Sequence, residues 1–200
     1  MLELMRSRRR LRGATVELSG RGDLPRNEPI PEPVRVLGVQ QSNTSVVFGE
    51  ELILKIYRKL EPGENPDIEI NRYLTEQGEF RHIAPVRGTV TATTPDGPVS
   101  VALLSEFVVN QGDAWEYTLG LVGNFVDNLT TMTERGTPGR VRHPLDIVGS
   151  APPSNLAELV SMSLPSADLL GQRTGEMHLA LARPTEDEAF SPLPMSTLYQ

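Results

Sequence analysis

A single lysine interrupts the apolar run LILKIY at Leu52–Tyr57. A run of this composition predicts a strand that is covered on both faces of its sheet. Because an unpaired ammonium group is costly to bury, Lys55 inside such a strand requires an anionic partner. The alternative is a lysine at a strand edge, whose side chain reaches outward into solvent. A buried, paired Lys55 could bind an anionic ligand, whereas a lysine at a strand edge would have no functional role.

Glu69 is the carboxylate that the predicted elements would bring to Lys55. It falls in a predicted helix that begins after Asn65, a favourable N-cap, with Pro66 at the preferred first position. Gly78 provides the expected stop of this helix. A strand lysine held by a helix glutamate is the arrangement with which kinase small lobes hold the phosphates of ATP.

Two further segments could complete a nucleotide site. Hydroxyl and amide groups of Ser42, Asn43, Thr44 and Ser45, in a predicted turn between two strands, could cradle a phosphate, although such residues more often only form turns. The segment Glu106, Phe107 and Val108 follows the last predicted strand. Its backbone could bind a purine edge while Leu54 and Leu104 contact the ring, or it could be a simple linker.

Strands are predicted around the helix, and helices after them. β-Branched and alternating residues predict strands near residues 34–39, 45–48 and 52–57, and again at 85–93 and 99–104. Asp113 and Glu116 resemble a capping box that opens a helix to about residue 133, and a further helix is expected from Ser166 to Pro184. Between them, residues 136–153 suggest a mobile loop. This order predicts an α+β fold, with a protein-kinase-like small lobe (antiparallel sheet plus one helix) followed by the first helices of a large lobe.

Composition excludes several classes of function. The formal charge of −7 argues against a nucleic-acid-binding protein, although the first dozen residues are basic. The chain has no cysteine, which excludes thiolate metal sites, and its three histidines (His82, His143 and His178) lack ligand spacing. No apolar run is long enough to cross a bilayer, and the basic N-terminus lacks the apolar segment of a secretory signal. We therefore expect a cytoplasmic protein without a metal site of its own.

The sequence resembles the maltokinases, including the kinase part of trehalose synthase/maltokinase fusion proteins. The resemblance rests on three stretches, QSNTSVVFGEELILKIYRKLEPGENPDIEINRYLTE, LLSEFVVNQGDAWEYTL, and LLGQRTGEMHLALA followed by EAFSPLP. They run in the family's order from about residue 34 to the C-terminus, apart from a variable loop near 134–153.

The resemblance implies a fold similar to eukaryotic-type protein kinases and aminoglycoside phosphotransferases. It implies phosphorylation of maltose by ATP to maltose 1-phosphate, for α-glucan and glycogen synthesis. Lys55 and Glu69 match the family's phosphate-binding lysine and its partner, and Ser42 to Ser45 match the phosphate-covering turn. The implied cofactors are ATP and Mg²⁺. The implied partners are maltose and a fused or associated trehalose synthase domain.

The chain departs from the family after the helix that matches RTGEMHLALA. The family's catalytic loop, with its histidine and aspartate, and its later metal-binding aspartate have no counterpart. We therefore expect a fragment that is inactive alone, with no catalytic residue and with the Mg²⁺ ligands outside this chain. Residues 1–33 are expected to be a basic, proline-rich leader at the end of the cap region. Residues 34–110 would form the nucleotide-binding lobe, and residues 111–200 the incomplete start of the catalytic lobe.

Two other interpretations remain open at this point. The chain could be a nucleotide-binding or interaction module that docks a complementary chain, which an exposed apolar surface would favour. It could also belong to another kinase of the aminoglycoside phosphotransferase type.

Overall fold

The computed structural model describes residues 1–38, 43–77, 80–131, 143–151, 161, 163–191 and 193. The chain divides into two compact units. The first contains Met1–Val109 and Glu176–Gln200, and the second contains Asn110–Gly175.

The first unit is built on an antiparallel sheet in which seven strands are described. In chain order these are β1 (Arg10–Arg12), β2 (Glu17–Gly22), β3 (Val34–Val36), β4 (Asn43–Phe48), β5 (Leu52–Tyr57), β6 (Val86–Thr94) and β7 (Gly97–Glu106). Their spatial order is β1-β2-β6-β7-β5-β4-β3, and every neighbouring pair is antiparallel. The strand that contains Lys55 is therefore an interior strand.

The described part of the chain contains four α-helices. They are α1 (Leu2–Ser7), α2 (Pro66–Glu76), α3 (Ala114–Thr131) and α4 (Leu164–Leu181). Two short 3₁₀ helices lie at Pro144–Asp146 and Glu188–Phe190. No helix of the described residues is both long enough and apolar enough to span a membrane.

Helix α1 covers one face of the sheet. Its Leu2 and Met5 are buried against a cluster of strand residues: Phe48, Leu54, Val90, Ala102 and Leu104. Gly20 of β2 allows this packing, because a Cβ atom at Gly20 would overlap the backbone carbonyl of Leu4. The helix and the sheet can therefore approach each other closely at this point.

Helix α2 covers the opposite face. Ile68 packs there with Tyr57 of β5 and Leu103 of β7. A second cluster joins the far side of α2 to the C-terminal segment, where the ring of Tyr73 stacks on that of Phe190 with centroids 3.8 Å apart. The sheet between α1 and α2 is thus covered on both faces, as the apolar run of β5 predicts.

The structure confirms the predicted fold class and most of its elements. Strand β5 has the predicted bounds, and α2 begins at Pro66 with Asn65 as its N-cap. The Asn65 side chain accepts a hydrogen bond from the Asp67 N–H at 2.9 Å, as an N-cap should. The helix is described to Glu76, so the predicted stop at Gly78 lies outside the described residues.

Residues 1–33 contain more regular structure than the sequence analysis indicated. Helix α1 and strands β1 and β2 all lie in this segment, and β2 pairs with β6 along its whole length. The basic composition hid these elements, because the arginines of β1 are exposed while only a few apolar side chains, such as Met5, are buried. The segment extends the sheet rather than only preceding it.

The second unit is helical. The Asp113 side chain accepts a hydrogen bond from the Glu116 N–H at 2.8 Å, so the predicted cap of α3 is confirmed. None of the α3 side chains is buried, and Trp115 is 71% exposed. Helix α4 begins at Leu164, two residues before the predicted Ser166. Half of the predicted loop at 136–153 lies outside the described residues, and its described part, residues 143–151, contains the 3₁₀ helix Pro144–Asp146.

Candidate functional site

Lys55 lies in the middle of β5, between β4 and β7. It stands opposite Ser45 on β4 and Leu103 on β7, and residues directly opposite in a sheet share one face. Leu103 packs with Ile68 of α2, so Lys55 points to the face that α2 covers. Since β5 is an interior strand, the strand-edge alternative for Lys55 is wrong. The Lys55 side chain keeps 36% of its surface exposed and is accessible to a ligand.

Asp67, in the first turn of α2, is the partner of Lys55. Lys55 Nζ donates to Asp67 Oδ2 at 2.6 Å, and the Tyr57 hydroxyl donates to the same oxygen at 3.0 Å. Asn71 Nδ2 donates to the other carboxylate oxygen, Oδ1, at 3.1 Å. The carboxylate therefore accepts from three side chains and has a defined orientation.

The prediction that Glu69 pairs with Lys55 is wrong. Adjacent helical residues are about 100° apart, so Glu69 points about 200° away from Asp67 around the axis of α2. Asn71, one turn after Asp67, shares the face that looks toward β5, as its hydrogen bond to Asp67 shows. The topology delivers a carboxylate to Lys55 as expected, but from the second helical residue rather than the fourth. That Glu69 itself contributes to a binding site stays a prediction.

The start of α2 is anchored to the sheet. The Asn65 N–H donates to the buried Ser100 hydroxyl on β7 at 2.9 Å, while Asn65 Oδ1 caps the helix. Because Asp67 follows two residues later, this anchor fixes the carboxylate opposite Lys55. Tyr57, Asn65, Asp67 and Ser100 were not singled out as site residues from the sequence. For Tyr57 the available signal was its spacing of two residues from Lys55, which places both on one face of a strand.

The environment of Tyr57 favours its neutral phenol. Its side chain is buried, and burial raises its pKa well above the usual range, followed by the charge of Asp67 and the hydrogen bond to it. The hydroxyl therefore remains a donor to Asp67 under all ordinary conditions.

The predicted phosphate-covering turn is only partly within the described residues. Gln41 and Ser42 lie outside them. Asn43 and Thr44 are strand residues of β4, so the prediction of a turn there is wrong, while Ser45 lies in the strand predicted from residue 45. The β-branched residues Val46 and Val47 favour a strand, and in the structure this strand begins earlier, at Asn43. Asn43 and Ser45 share the Lys55 face, because they stand opposite Tyr57 and Lys55, and Thr44 points to the other face.

The predicted purine-binding linker lies at the end of β7. Glu106 stands opposite Leu52, three residues along β5 from Lys55, a separation of about 10 Å. The Glu106 N–H donates to Pro85 O at 3.0 Å, and the Phe107 N–H donates to Glu51 O at 2.7 Å. A purine edge would therefore need other groups of this segment. Val108 is exposed, and its role stays a prediction.

Leu54 and Leu104 cannot contact a ligand on the Lys55 face, so that part of the prediction is wrong. They stand opposite each other and are buried in the α1 cluster, at 4% and 0% exposure. The reason is the two-residue period of a strand, which points Leu54 and Lys55 to opposite faces.

Metal ligands are not clustered within the described ranges. No group of three or more histidine, aspartate or glutamate side chains there has the geometry to hold an ion.

No protein-family model matches the chain. Its fold resembles that of a glucosamine kinase. One glucosamine kinase crystal form has a TM-score of 0.50 and 20% identity, over 86% of this chain and 32% of that chain. A glucosamine kinase in complex with glucosamine, ADP and inorganic phosphate has a TM-score of 0.48 and 21% identity, over 86% and 33% respectively. This chain thus spans about a third of the length of the glucosamine kinases it matches.

Proposed function

We propose that this chain forms the nucleotide-binding portion of an ATP-dependent sugar kinase, in which Lys55 contacts a phosphate of ATP. The observation that carries the proposal is the Lys55–Asp67 pair on an interior strand. It lies in a fold that resembles a glucosamine kinase, whose name describes a phosphoryl transfer to a sugar.

The chemistry of the pair suits a phosphate ligand. An ammonium group has three N–H donors, and Asp67 accepts one of them. The others can turn toward phosphate oxygens, since the Lys55 side chain is partly exposed. Asp67 limits the positions that the ammonium can adopt, because Tyr57 and Asn71 hold its carboxylate. ATP, when bound, would supply the transferable phosphoryl group, and these residues would bind and orient it.

Maltose is the proposed sugar substrate, with maltose 1-phosphate as product. Its support is the resemblance of the three sequence stretches to the maltokinases, and a glucosamine kinase fold is compatible with a sugar acceptor. Ser42, Asn43, Ser45, Glu69 and Glu106 to Val108 remain proposed nucleotide contacts. We propose that the sugar-activating carboxylate and the Mg²⁺ ligands belong to the part of the kinase that this chain does not span.

The lysine content of the chain permits a sharp test. Of its 19 lysine and arginine residues, only Lys55 and Lys59 are lysines. An acyl-phosphate derivative of ATP acylates a lysine close to the bound phosphates: the amine attacks the acyl carbonyl, an amide forms, and ATP leaves. Peptide mass spectrometry then compares two candidate side chains. We expect labelling of Lys55 that excess ATP prevents, and weak labelling of Lys59 that ATP does not change.

Calorimetry provides the matched quantitative test. Lys59 is a suitable control because its side chain is 86% exposed and pairs with Glu61, whose side chain is 70% exposed. We expect Lys55→Ala to weaken ATP binding by about tenfold or more, as loss of a charge-assisted contact should. Lys59→Ala should bind like the unaltered chain. Equal ATP affinity of both variants, with both folded by circular dichroism, would refute the assignment of Lys55.

The second unit supports a second candidate function, a module that docks a complementary chain. Helix α3 presents large apolar side chains to solvent: Trp115, Tyr117, Leu119, Val122 and Val126. Exposed apolar surface of this extent marks an interaction site. The proposed occupant is the remaining part of a kinase lobe, since this chain spans 32% of the matched glucosamine kinase.

A further inference from the structure

An open cleft of about 820 Å³ lies beside strands β2 and β6. Strands β7 and β6 separate β2 from the strand of Lys55, so the cleft is distinct from the Lys55 site. The C-terminal half of α2 contributes Arg72 and Glu76 to its wall. Two carboxylates, Asp23 and Glu76, line it, but cations predominate, with five arginine side chains: Arg8, Arg10, Arg21, Arg72 and Arg87. We call it the arginine cleft.

The strand register gathers several donors on one face. Arg21 of β2 stands directly opposite Thr89 of β6, and Arg10 of β1 stands opposite Ser19 of β2. Opposite residues share a face, so two guanidinium groups and two hydroxyl groups come from three neighbouring strands. The alternate residues of β2 and β6, Gly20 and Gly88, lie against α1 on the other face.

Two of the arginines have no carboxylate partner within the described residues. Arg72 forms two hydrogen bonds to Glu64, at 2.6 and 2.8 Å, and Arg10 pairs with Glu17 at 3.2 Å, so both charges are matched. Arg87 lies 3.8 Å from Asp23 and 3.4 Å from Glu106. Arg21 has no side-chain partner in the described part of the chain, and Arg8 Nε reaches the Gly22 carbonyl at 3.4 Å. A peptide carbonyl accepts a hydrogen bond without neutralising the charge. Arg8 and Arg21 are therefore the two cations of the cleft that form no ion pair within the described residues.

Further donors in the cleft have unused capacity. Arg87 Nε is buried and makes no hydrogen bond, although Glu106 Oε1 lies 3.4 Å away. Among the described residues, the hydroxyl groups of Ser19 and Thr89 also have no hydrogen-bond partner. A buried donor without an acceptor is costly, and an anion with several oxygens would satisfy such a group.

We propose that the arginine cleft binds a small molecule that carries a phosphate group with two or more negative charges. Guanidinium and hydroxyl groups are the donors that phosphate oxygens accept from, and guanidinium matches phosphate geometry particularly well. The volume suits a small ligand rather than a flat macromolecular surface. The cationic character is local, because the chain as a whole carries a formal charge of −7. The site does not depend on the proposed role of Lys55.

Isothermal calorimetry with pyrophosphate and with a hexose 1-phosphate tests the proposal on the full chain. Arg21→Gln removes one cation of the cleft from an exposed strand position. Arg26→Gln is the matched control, because Arg26 is exposed nearby in sequence but does not line the cleft. We expect Arg21→Gln to lose about tenfold or more in affinity for at least one probe, and Arg26→Gln to bind like the unaltered chain. The Lys55→Ala variant should retain this binding, which separates the cleft from the ATP site.

The pattern of outcomes decides the ligand. Binding of pyrophosphate alone supports an inorganic or nucleotide diphosphate source, and binding of the hexose phosphate supports a sugar phosphate. Loss of binding in Lys55→Ala but not in Arg21→Gln would place the probe at Lys55 and overturn the proposal. Binding of a polyglutamate peptide with neither phosphate probe bound would also overturn it, in favour of protein docking. An equal effect of Arg21→Gln and Arg26→Gln would show only general charge attraction.

Discussion

Lys55 Nζ lies 2.6 Å from Asp67 Oδ2, while Glu69, two residues farther along α2, forms no ion pair with it. The pair joins an interior strand to the first turn of a helix, and the helix start is itself bonded to β7 through Asn65 and Ser100. The position of this cation therefore depends on three separate elements.

Asp67→Asn should destabilise the chain more than Glu69→Gln. The substitution removes the charge partner of Lys55 and weakens the acceptor of Tyr57 and Asn71. We expect a loss of about 1–3 kcal/mol in the free energy of unfolding, because charged hydrogen bonds contribute at that level. Glu69→Gln should stay within about 0.5 kcal/mol. Urea unfolding followed by circular dichroism measures both, and an equal loss for the two variants would contradict the pairing.

Tyr57 should make stability fall at alkaline pH. Burial raises its pKa in the folded chain above the usual value of a tyrosine, so the folded state holds the proton more tightly than the unfolded state. The resulting stability is complete below pH 10 and declines as the pH rises above it. Urea unfolding between pH 9 and 11 should show this decline. Tyr57→Phe should reduce it and cost about 1 kcal/mol at neutral pH, since one hydrogen bond is lost. An identical pH dependence in the variant would assign the decline to other groups.

Gly20→Ala should disrupt the packing of α1 on the sheet. The new methyl group would meet the backbone carbonyl of Leu4, which cannot move aside as a side chain would. Overpacking of this kind costs about 1–3 kcal/mol. Gly38→Ala is the control, because a Cβ there meets nothing within 4 Å. Thermal melts of the two variants should separate clearly, and equal melting temperatures would show that α1 is not packed at Gly20.

Asn65→Ala should weaken α2 by about 1 kcal/mol through loss of the cap. Asn65→Asp, which keeps an acceptor for the Asp67 N–H, should retain most of the stability. Since the cap positions Asp67, the alanine variant should also bind ATP less tightly than the aspartate variant. Calorimetric titration of both checks this, and equal ATP affinities would mean that the cap does not influence the Lys55 site.

Trp115 should report on the surface of α3. It is the sole tryptophan of the chain and is 71% exposed. We expect emission close to that of tryptophan in water and efficient quenching by acrylamide. If a complementary kinase lobe binds this face, the emission should shift to shorter wavelength and quenching should fall. A blue-shifted emission of the isolated chain would show that the face is already covered.

Local patterns were sufficient for most of the first unit. The apolar run around Lys55 predicted a strand, and Asn65 with Pro66 predicted the start of α2, because caps and strand periods are properties of neighbouring residues. The same local rules failed for residues 1–33. Whether an arginine-rich segment joins a sheet depends on pairing with distant strands, here β2 with β6.

The sequence by itself determined that a lysine would lie within an apolar strand and that a helix with acidic residues in its first turn would follow. The sheet order then decided that this strand is interior rather than at an edge. Only the tertiary structure decided which carboxylate meets that cation, because the rotation of α2 about its axis is set by Ile68 in the core and by the bond from Asn65 to Ser100. The arginine cleft has the same origin. Its donors come from β1, β2, β6, α2 and Arg8 after α1, and only the folding of the chain brings these parts together.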